Sequence, residues 1–365
     1  MTQREKEIFQ LISQQPTIDQ NEIAARLNIT RSSVAVHISN LQKKGYIRGR
    51  GYLINERDYV VGIGAANVDI HCRSKDKLVM QDSNPSHMHM SLGGVTRNIC
   101  ENLARLDTKV KLITALGDDS NGAWIRDTCQ MMGIDMNYSM VVNQHRSSTY
   151  ISCLDEQGDM FVAFSDMEVL QQMNMRFLQS RDHIIHGAKL IVCDPALPEE
   201  VLAGITERYG KKMPIFCDPV STAYAKRLRP FVGCLHTVKP NRMELAVLSG
   251  HPTETDEDLM AACDKLLGIG TQRVIVSLGK RGCLYMDQEG NRIQRGFRPL
   301  EKMVNATGGG DAFMAAVIYS YVNDYTAENT VDLALAAGCA AVSSADTINP
   351  DMSLELLKKT IKERK

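Results

Sequence analysis

The spacing of apolar residues predicts three short helices within the first 57 residues. The positions that mark them are Ile8, Leu11 and Ile12, then Ile23, Ala24 and Leu27, then Val34, Ile38 and Leu41. They recur three or four residues apart, as one buried helix face requires. Pro16 ends the first helix, and Asp19 and Thr30 carry side-chain oxygens that can cap the second and the third. Gly45 ends the third helix, and alternating residues around 49–51 predict a β-hairpin.

From Tyr59 onward, short apolar runs alternate with helical patterns, which is typical of a parallel sheet with helices on both faces. The runs lie at residues 59–66, 110–116, 190–193, 213–218, 235–239 and 273–277. Two segments, 70–92 and 146–165, break this alternation because they are half-polar and rich in strand-forming residues. A turn signal at 155–158 lies within the second segment. We expect the two segments to form a small antiparallel flap attached to an α/β body.

Charge supports a division into two modules, residues 1–57 and 58–365. The chain of 365 residues has a net charge of −1, which excludes a globally basic nucleic-acid-binding protein. The first module nevertheless holds nine Lys and Arg against five Asp and Glu. The chain starts with polar residues and contains no run of about 18 apolar residues. Its ten cysteines include no C-x-x-C pair. We therefore expect a cytoplasmic protein with reduced thiols and no membrane partner.

The first module has the order of a winged helix-turn-helix, in which the third helix enters the major groove of DNA. Residues expected at the bases are Arg31, Ser32, Ser33 and His37, and those expected at phosphates are Lys43, Lys44, Arg48 and Arg50. Residues 20–34 resemble the corresponding segment of bacterial transcription regulators. The alternative is a three-helix appendage that serves dimerisation or protein contact.

Two common phosphate-binding motifs are absent from the second module. Gly62 and Gly64 follow a predicted strand, but Asn67 stands where the dinucleotide motif G-x-G-x-x-G has its third glycine. The pattern G-x-x-x-x-G-K-[ST] is absent as well. The sequence instead predicts a phosphate site at 307–311, where three glycines lead directly into an apolar helix.

The glycines of this segment, Gly308, Gly309 and Gly310, would present backbone N–H groups at a helix N-terminus and so bind an anion. Asp311 would repel phosphate. It fits better as a general base that takes a proton from an attacking hydroxyl group beside the anion hole. A glycine-rich turn with Asp311 as a helix cap is the alternative.

Two signatures of the second module resemble the ribokinase-like (PfkB) family of carbohydrate and nucleoside kinases. They are Gly93-Gly94-Val95-Thr96-Arg97-Asn98 and Thr307-Gly308-Gly309-Gly310-Asp311. Supporting segments occur in family order at 67–69, 241–244 and 277–282. The resemblance implies an α/β fold with a central, mostly parallel sheet, helices on both faces and a small β lid from about 70–92 and 146–165.

The resemblance also implies roles for individual residues. Asp311 is implied as the catalytic base, and the amides of 308–310 are implied as the anion hole. Asp69 would hold sugar hydroxyl groups, and the acceptor site would be completed by Asn67, Gly93, Gly94 and Asn98. If the family resemblance is set aside, Asp69 fits a residue that caps a loop equally well. Residues 93–94 then fit a plain turn before a helix.

A nucleotide and a metal ion are implied in the same way. Residues expected to border ATP are Asn241, Ser277, Gly279, Gly282 and Thr307. Asn241 and Glu244 would hold Mg²⁺ through water, because this ion gives up its water ligands reluctantly. The alternative is that Asn241 is a helix cap and Glu244 a surface carboxylate. The family usually has Asp where Asn305 stands, and that Asp helps to bind a monovalent cation, so activation by K⁺ is left open. Lid strands often pair between subunits in this family, which implies a homodimer.

Further segments resemble the family members that phosphorylate pseudouridine. They lie at 82–85, 93–99, 218–221, 235–242 and 347–351. The implied reaction transfers a phosphoryl group from ATP to the 5′-hydroxyl group of pseudouridine. Lid residues Asp82, Asn84 and Thr149 could pair with the carbonyl and N–H groups of the uracil ring, or belong to a solvated turn.

Three functions are compatible with these patterns. The first is an active nucleoside kinase with a DNA-binding appendage. The second is a transcription regulator whose kinase fold only senses a nucleoside, and the third is a kinase for ribose or a fructose derivative. The intact Asp311 favours an enzyme, because a sensor has no need of a general base.

Overall fold

The computed structural model describes residues 1–15, 18–47, 58–298 and 307–365. These residues form two compact units, Met1–Asp58 and Tyr59–Lys365. The helices are α1 (Gln3–Gln14), α2 (Gln20–Leu27), α3 (Arg31–Lys43), α4 (Val95–Arg105), α5 (Ser120–Met131), α6 (Met175–Gln179), α7 (Asp182–Ile185), α8 (Glu199–Tyr209), α9 (Thr222–Leu228), α10 (Arg242–Ser249), α11 (Asp256–Gly268), α12 (Gly309–Val322), α13 (Ala327–Val342) and α14 (Leu354–Arg364).

The strands of the second unit form three sheets. They are β1 (Val60–Ile63), β2 (Asn67–Ser74), β3 (Ser86–Gly93), β4 (Val110–Ile113), β5 (Ala115–Gly117), β6 (Ile134–Asp135), β7 (Met140–Val142), β8 (Thr149–Leu154), β9 (Met160–Asp166), β10 (Leu190–Cys193), β11 (Ile215–Cys217), β12 (Thr237–Val238), β13 (Arg273–Ser277), β14 (Cys283–Asp287) and β15 (Arg292–Arg295).

The first unit packs α1, α2 and α3 around a small apolar core of Ile8, Ile12, Ile23, Val34, Ile38 and Leu41. Asp19 caps α2 by accepting hydrogen bonds from the backbone N–H groups of Asn21 and Glu22, and Thr30 caps α3. Gly45 adopts a positive φ of 71° just after α3, as a helix end commonly requires. Most of the predicted hairpin, from residue 48 onward, lies outside the described residues.

The main sheet of the second unit has nine strands in the order β15-β14-β13-β12-β11-β10-β1-β4-β6. The seven strands from β13 to β6 are mutually parallel, and only β14 and β15 pair antiparallel among the described strands of this sheet. All six strand runs predicted from the sequence contribute to it. The predicted α/β class with a central, mostly parallel sheet is therefore confirmed.

Alternate residues of each central strand face opposite sides of the sheet. Val60 and Leu112 belong to a core beneath α4, α5, α12, α13 and α14, whereas Val61 and Ile113 belong to a second core beneath α6 to α11. Because both faces are covered, the central strands are apolar at nearly every position. This arrangement leaves the carboxyl edge of the sheet as the place where polar side chains can gather.

The lid is a four-stranded sheet in the order β3-β2-β8-β9. The prediction of an antiparallel flap was wrong for its central pair, because β2 and β8 run parallel. Both strands leave the same carboxyl edge of the main sheet, β2 just after β1 and β8 just after residue 148, so they start side by side and point the same way. The predicted turn at 155–158 joins β8 to β9, where the Asp155 carboxylate accepts backbone N–H groups of the turn.

Candidate active site

A cavity of about 920 Å³ lies between the carboxyl edge of the main sheet and the inner face of the lid. The body of the unit contributes Gly94, Asn98, Asp194, Val220, Thr307, Asp311 and Thr347, and the lid contributes Asn67, Asp69, His71, His89, Ser91, Tyr150 and Ser152. Residues from both sequence signatures therefore line one cavity, although more than 200 positions separate them along the chain.

Asp311 lies in the first turn of α12, and its side chain is largely buried. Its Oδ2 atom accepts a hydrogen bond of 2.8 Å from Nδ2 of Asn98 on α4. Burial, with repulsion from Asp218, raises the pKa of Asp311 to about 7, although Asn98 and Lys239 oppose that rise. A carboxyl group that ionises near neutral pH suits a general base. The helix-cap alternative is not what the structure shows, because Gly308 occupies the N-cap position and Asp311 bonds to Asn98.

The glycine loop before α12 requires glycine at its first position. Gly308 has a φ of +79°, and a Cβ atom there would lie 1.9 Å from the carbonyl oxygen of Thr347. Among the described residues no side chain caps α12, and the first N–H groups of a helix have no partner within the helix itself. A helix N-terminus of this kind binds anions. Thr307 lines the cavity next to this loop.

On the lid side of the cavity, Asp69 contributes a second carboxyl group in addition to that of Asp311. Nδ2 of Asn67 donates a hydrogen bond of 2.6 Å to Asp69 Oδ1, and burial raises the pKa of Asp69 despite that bond. Gly93 pairs with Asn67 across β2 and β3, and a Cβ atom on Gly93 would come within 2.3 Å of the Asp69 carboxylate. Gly94 has a φ of +98° and passes so close to the backbone of Ala65 that a side chain would clash. Asn67, Asp69, Gly93 and Gly94 thus meet as one group at the junction of β2, β3 and α4.

The inner face of the lid carries polar residues that sequence reasoning missed. His71 lies opposite His89 in the pairing of β2 with β3, and His71 Nδ1 is 2.6 Å from Ser152 Oγ. Ser91 and Tyr150 line the cavity beside them. Side chains alternate between the two faces of a strand, so the odd-numbered residues of β2 share one face with Asp69. This alternation is the sequence signal that could have identified His71.

Three lid residues predicted at the acceptor do not reach the cavity. Asn84 closes its own loop, since its side chain exchanges hydrogen bonds with the backbone N–H and carbonyl of Val79. Asp82 is exposed and accepts the backbone N–H of Ser83. Thr149 lies on the other face of β8 and donates to the carbonyl oxygen of Ser147. The prediction that these three residues contact the acceptor is therefore corrected. The geometry of the turn and of the strand directs their side chains away from the cavity.

Asn241 and Glu244 form a capping box at the start of α10. Asn241 Oδ1 accepts the backbone N–H of Glu244, and Glu244 Oε2 accepts the backbone N–H of Asn241. Glu244 is nevertheless buried, and burial raises its pKa, so it is not the surface carboxylate of the alternative interpretation. Carboxylate and amide oxygens suit Mg²⁺, which keeps several water ligands. In the described part of the chain, no three His, Cys, Asp or Glu side chains form a metal cluster.

Ser277 ends β13 at the same carboxyl edge, and Gly279 and Gly282 follow it. Ser277 pairs with Asn241 and donates its N–H to the carbonyl oxygen of Pro240 over 2.9 Å, which places it beside the start of α10. A Cβ atom at Gly282 would lie 2.0 Å from the carbonyl of Arg295, whereas one at Gly279 would meet open space. Gly282 is therefore required by the fold, and Gly279 borders an open surface.

A buried ion pair lies beneath the glycine loop. Lys239 Nζ is 2.9 Å from Asp218 Oδ2, and both side chains are almost fully buried. Burial would lower the pKa of Lys239, but Asp218, with Glu244 and Asp311, holds it above its ordinary value. Sequence reasoning assigned no role to either member of this pair.

The first unit presents several of its predicted DNA-contacting residues to solvent. Arg31, Ser32 and Lys43 are exposed on α3, and Ser33 and His37 are partly exposed. Lys44 is instead paired with the buried Glu5 over 2.7 Å, so its ammonium group is already held within the unit. Arg48 and Arg50 lie outside the described residues.

Comparison with known proteins assigns both units to families. Residues 57–353 match the pfkB family carbohydrate kinases, and residues 1–48 match a winged helix-turn-helix DNA-binding family. Along 98% of its length the chain is 31% identical to the uncharacterised sugar kinase YeiI of Escherichia coli, and this match covers 99% of YeiI. It is 34% identical to the pseudouridine kinase of the same organism, over 82% of this chain and 96% of that one.

Solved structures agree in fold. Arabidopsis thaliana ribokinase, complexed with ribose and ATP, superimposes with a TM-score of 0.74 at 22% identity, over 84% of this chain and 99% of that one.

The chain belongs to the pfkB family of carbohydrate kinases, and its first 48 residues are similar to a winged helix-turn-helix family. The family resemblance inferred from the two signatures is confirmed. The protein is accordingly a kinase, that is, a phosphotransferase, of a family that includes carbohydrate and nucleoside kinases. No helix within the described ranges is long and apolar enough to span a membrane.

Proposed function

We propose that this kinase transfers the γ-phosphoryl group of Mg-ATP to the 5′-hydroxyl group of pseudouridine. The observation that carries the proposal is the convergence on one cavity of Asp69 with Thr307 and Asp311, which flank the glycine loop. The 34% identity to a pseudouridine kinase supports this acceptor over other nucleosides.

The chemistry follows from this arrangement. Asp69, partly buried and oriented by Asn67, accepts hydrogen bonds from the ribose hydroxyl groups. The 5′-hydroxyl group then lies toward Asp311, which removes its proton as the oxygen attacks the γ-phosphorus. The first N–H groups of α12, after Gly308, stabilise the charge that develops on the transferred group.

ATP occupies the side of the glycine loop near Ser277, Gly279 and Asn241. Glu244 and Asn241 would hold Mg²⁺ through water, and the ion would neutralise phosphate charge. The lid covers the acceptor and excludes water that would otherwise take the phosphoryl group.

The inner face of the lid favours a nucleoside over a simple sugar. His71, His89, Ser91 and Ser152 extend the polar surface along the lid beyond Asp69. A uracil ring offers two carbonyl acceptors and two N–H donors to such a surface, whereas ribose or a fructose derivative offers no planar ring. A sugar kinase is the second candidate, and the relative YeiI, described as a sugar kinase, supports it.

A coupled ADP-release assay with Mg-ATP tests the acceptor. The panel comprises pseudouridine, uridine, cytidine, adenosine, inosine, ribose and fructose 1-phosphate. We expect turnover selective for pseudouridine. Faster turnover on ribose or fructose 1-phosphate would show that the protein is a kinase for a different acceptor. If the protein binds pseudouridine but forms no ADP from ATP with any acceptor of the panel, a regulator that only senses a nucleoside is favoured.

The outer face of the lid supports a homodimer. It exposes apolar residues on both edge strands, Met88 and Met90 on β3 and Val162 and Phe164 on β9, and the rows between them are completed by residues of β2 and β8. Exposed apolar surface of this kind is typical of protein–protein contacts. We propose that a second copy of the chain covers it, as sedimentation of the full chain would establish. For the winged helix we propose binding to DNA through α3.

A further inference from the structure

The ion pair of Lys239 and Asp218 adjoins the first turn of α12. A Cβ atom built on Gly310 would lie 3.3 Å from Lys239 Nζ, so the ammonium group is in contact distance of the glycine loop. Lys239 does not line the cavity, and its side chain is only 6% exposed. The positive charge therefore lies behind the loop.

The backbone fixes Lys239 in this position. Its N–H donates to the carbonyl oxygen of Cys217 over 3.2 Å, which continues the pairing of β11 with β12. The following residue, Pro240, accepts the N–H of Ser277 at the end of β13. Lys239 is thus held from both sides at the carboxyl end of β12.

The surroundings of this ammonium group are rich in negative charge. Asp218 contacts it directly, and Glu244 and Asp311 lie close enough to interact with it electrostatically. A polyphosphate in the cavity adds further negative charge. A buried ion pair contributes no more to stability than a well-packed apolar pair of similar size. The fold alone therefore does not account for a buried lysine at the point where these carboxyl groups converge.

We infer that Lys239 is a positioning residue for phosphoryl transfer: its ammonium group, anchored by Asp218, adds positive charge behind Gly308–Gly310 where negative charge builds on the transferred group. It acts through the loop and the charge around it, without touching the substrate. The inference rests on the anion-binding role proposed above for the glycine loop.

The test compares nucleotide states by calorimetry. Mg-ADP with aluminium fluoride mimics the flat phosphoryl group in transit, and Mg-ADP alone lacks it. In Lys239→Met, affinity for the fluoride complex should fall on the order of 10-fold to 100-fold, with little change in affinity for Mg-ADP alone. The kcat should fall by a similar factor, while the KM of the acceptor is retained.

Two further variants separate this role from a structural one. Lys239→Met combined with Asp218→Asn leaves no unpaired buried charge and should show the same selective loss. Lys111→Met breaks an ion pair of 2.7 Å with Asp135 outside the cavity and should change neither affinity. Equal losses for both nucleotide states, or no loss for either, would overturn the inference. Nucleotide binding needs no acceptor, so an error in the proposed acceptor leaves the test intact.

Discussion

Replacement of Asp311 by Asn should slow catalysis and, at alkaline pH, stabilise the protein. The variant keeps a polar side chain of the same shape beside Asn98 but cannot take a proton. Loss of a general base lowers kcat on the order of 10²-fold to 10⁴-fold, with substrate binding largely retained. The opposite effect on stability arises because an ionised carboxylate is buried next to Asp218.

The size of the stability gain follows from the ionisation of Asp311. Its pKa rises from 3.8 to about 7 because of burial and of repulsion from Asp218. A tenfold change in an ionisation constant corresponds to about 1.4 kcal/mol, so the charged form costs the fold at most roughly 4 kcal/mol. Because the pKa in the fold is raised, the penalty is absent well below pH 4 and is complete above about pH 7.

Urea unfolding at pH 4.5 and pH 8, together with ADP release at pH 8, measures both effects. Asp311→Asn should be more stable than the wild type at pH 8, and the difference should shrink toward pH 4.5. Asp287→Asn is the matched control, because Asp287 is equally buried but lies at the opposite edge of the sheet.

For Asp287, burial raises the pKa, but hydrogen bonds from Asn291 and Tyr285 outweigh it and hold the pKa below its ordinary value. Asp287→Asn should therefore lower stability and leave kcat unchanged. Near-normal turnover by Asp311→Asn, or a loss of stability at pH 8, would refute the reasoning.

Two more predictions address the acceptor site and the winged helix. Gly93→Ala places a Cβ atom 2.3 Å from the Asp69 carboxylate, so the KM of the acceptor should rise on the order of 10-fold to 100-fold with little change for ATP. An unchanged acceptor KM in steady-state kinetics would argue against Asp69 as its anchor. Binding of the full chain to a pool of genomic fragments should weaken steeply with salt, and Arg31→Ala should reduce discrimination between sites by roughly 1–3 kcal/mol. Salt-insensitive binding, or none, would favour a protein-contact module.

Local patterns predicted the fold well because they reflect local physics. Runs of apolar residues marked the buried strands of the main sheet, and Asp19 and Thr30 cap helices where the sequence placed them. The two family signatures also identified residues that converge on the cavity, including Asn98 and Asp311. Each signature contains glycines at positions where a side chain would clash, as at Gly94 and Gly308.

Features that depend on long-range geometry could not be predicted in the same way. The parallel pairing of β2 with β8 depends on where both strands leave the body. Asn84 is polar and near the acceptor segment in sequence, yet its loop turns it toward Val79. Val220 lines the cavity with a φ of +67°, a strained conformation for a β-branched residue that no spacing reveals. The partnership of Lys239 with Asp218 arises only when β11 and β12 are aligned.

The central claim is that Asp311 directs a phosphoryl group from ATP to the 5′-hydroxyl group of a nucleoside. Phosphorus NMR of the product formed from pseudouridine and Mg-ATP tests it most directly. We expect a new phosphomonoester signal split into a triplet by the two protons on the 5′ carbon, formed together with ADP by the wild type and lost in Asp311→Asn. A doublet from a 2′- or 3′-phosphate, or inorganic phosphate as the product, would contradict the account.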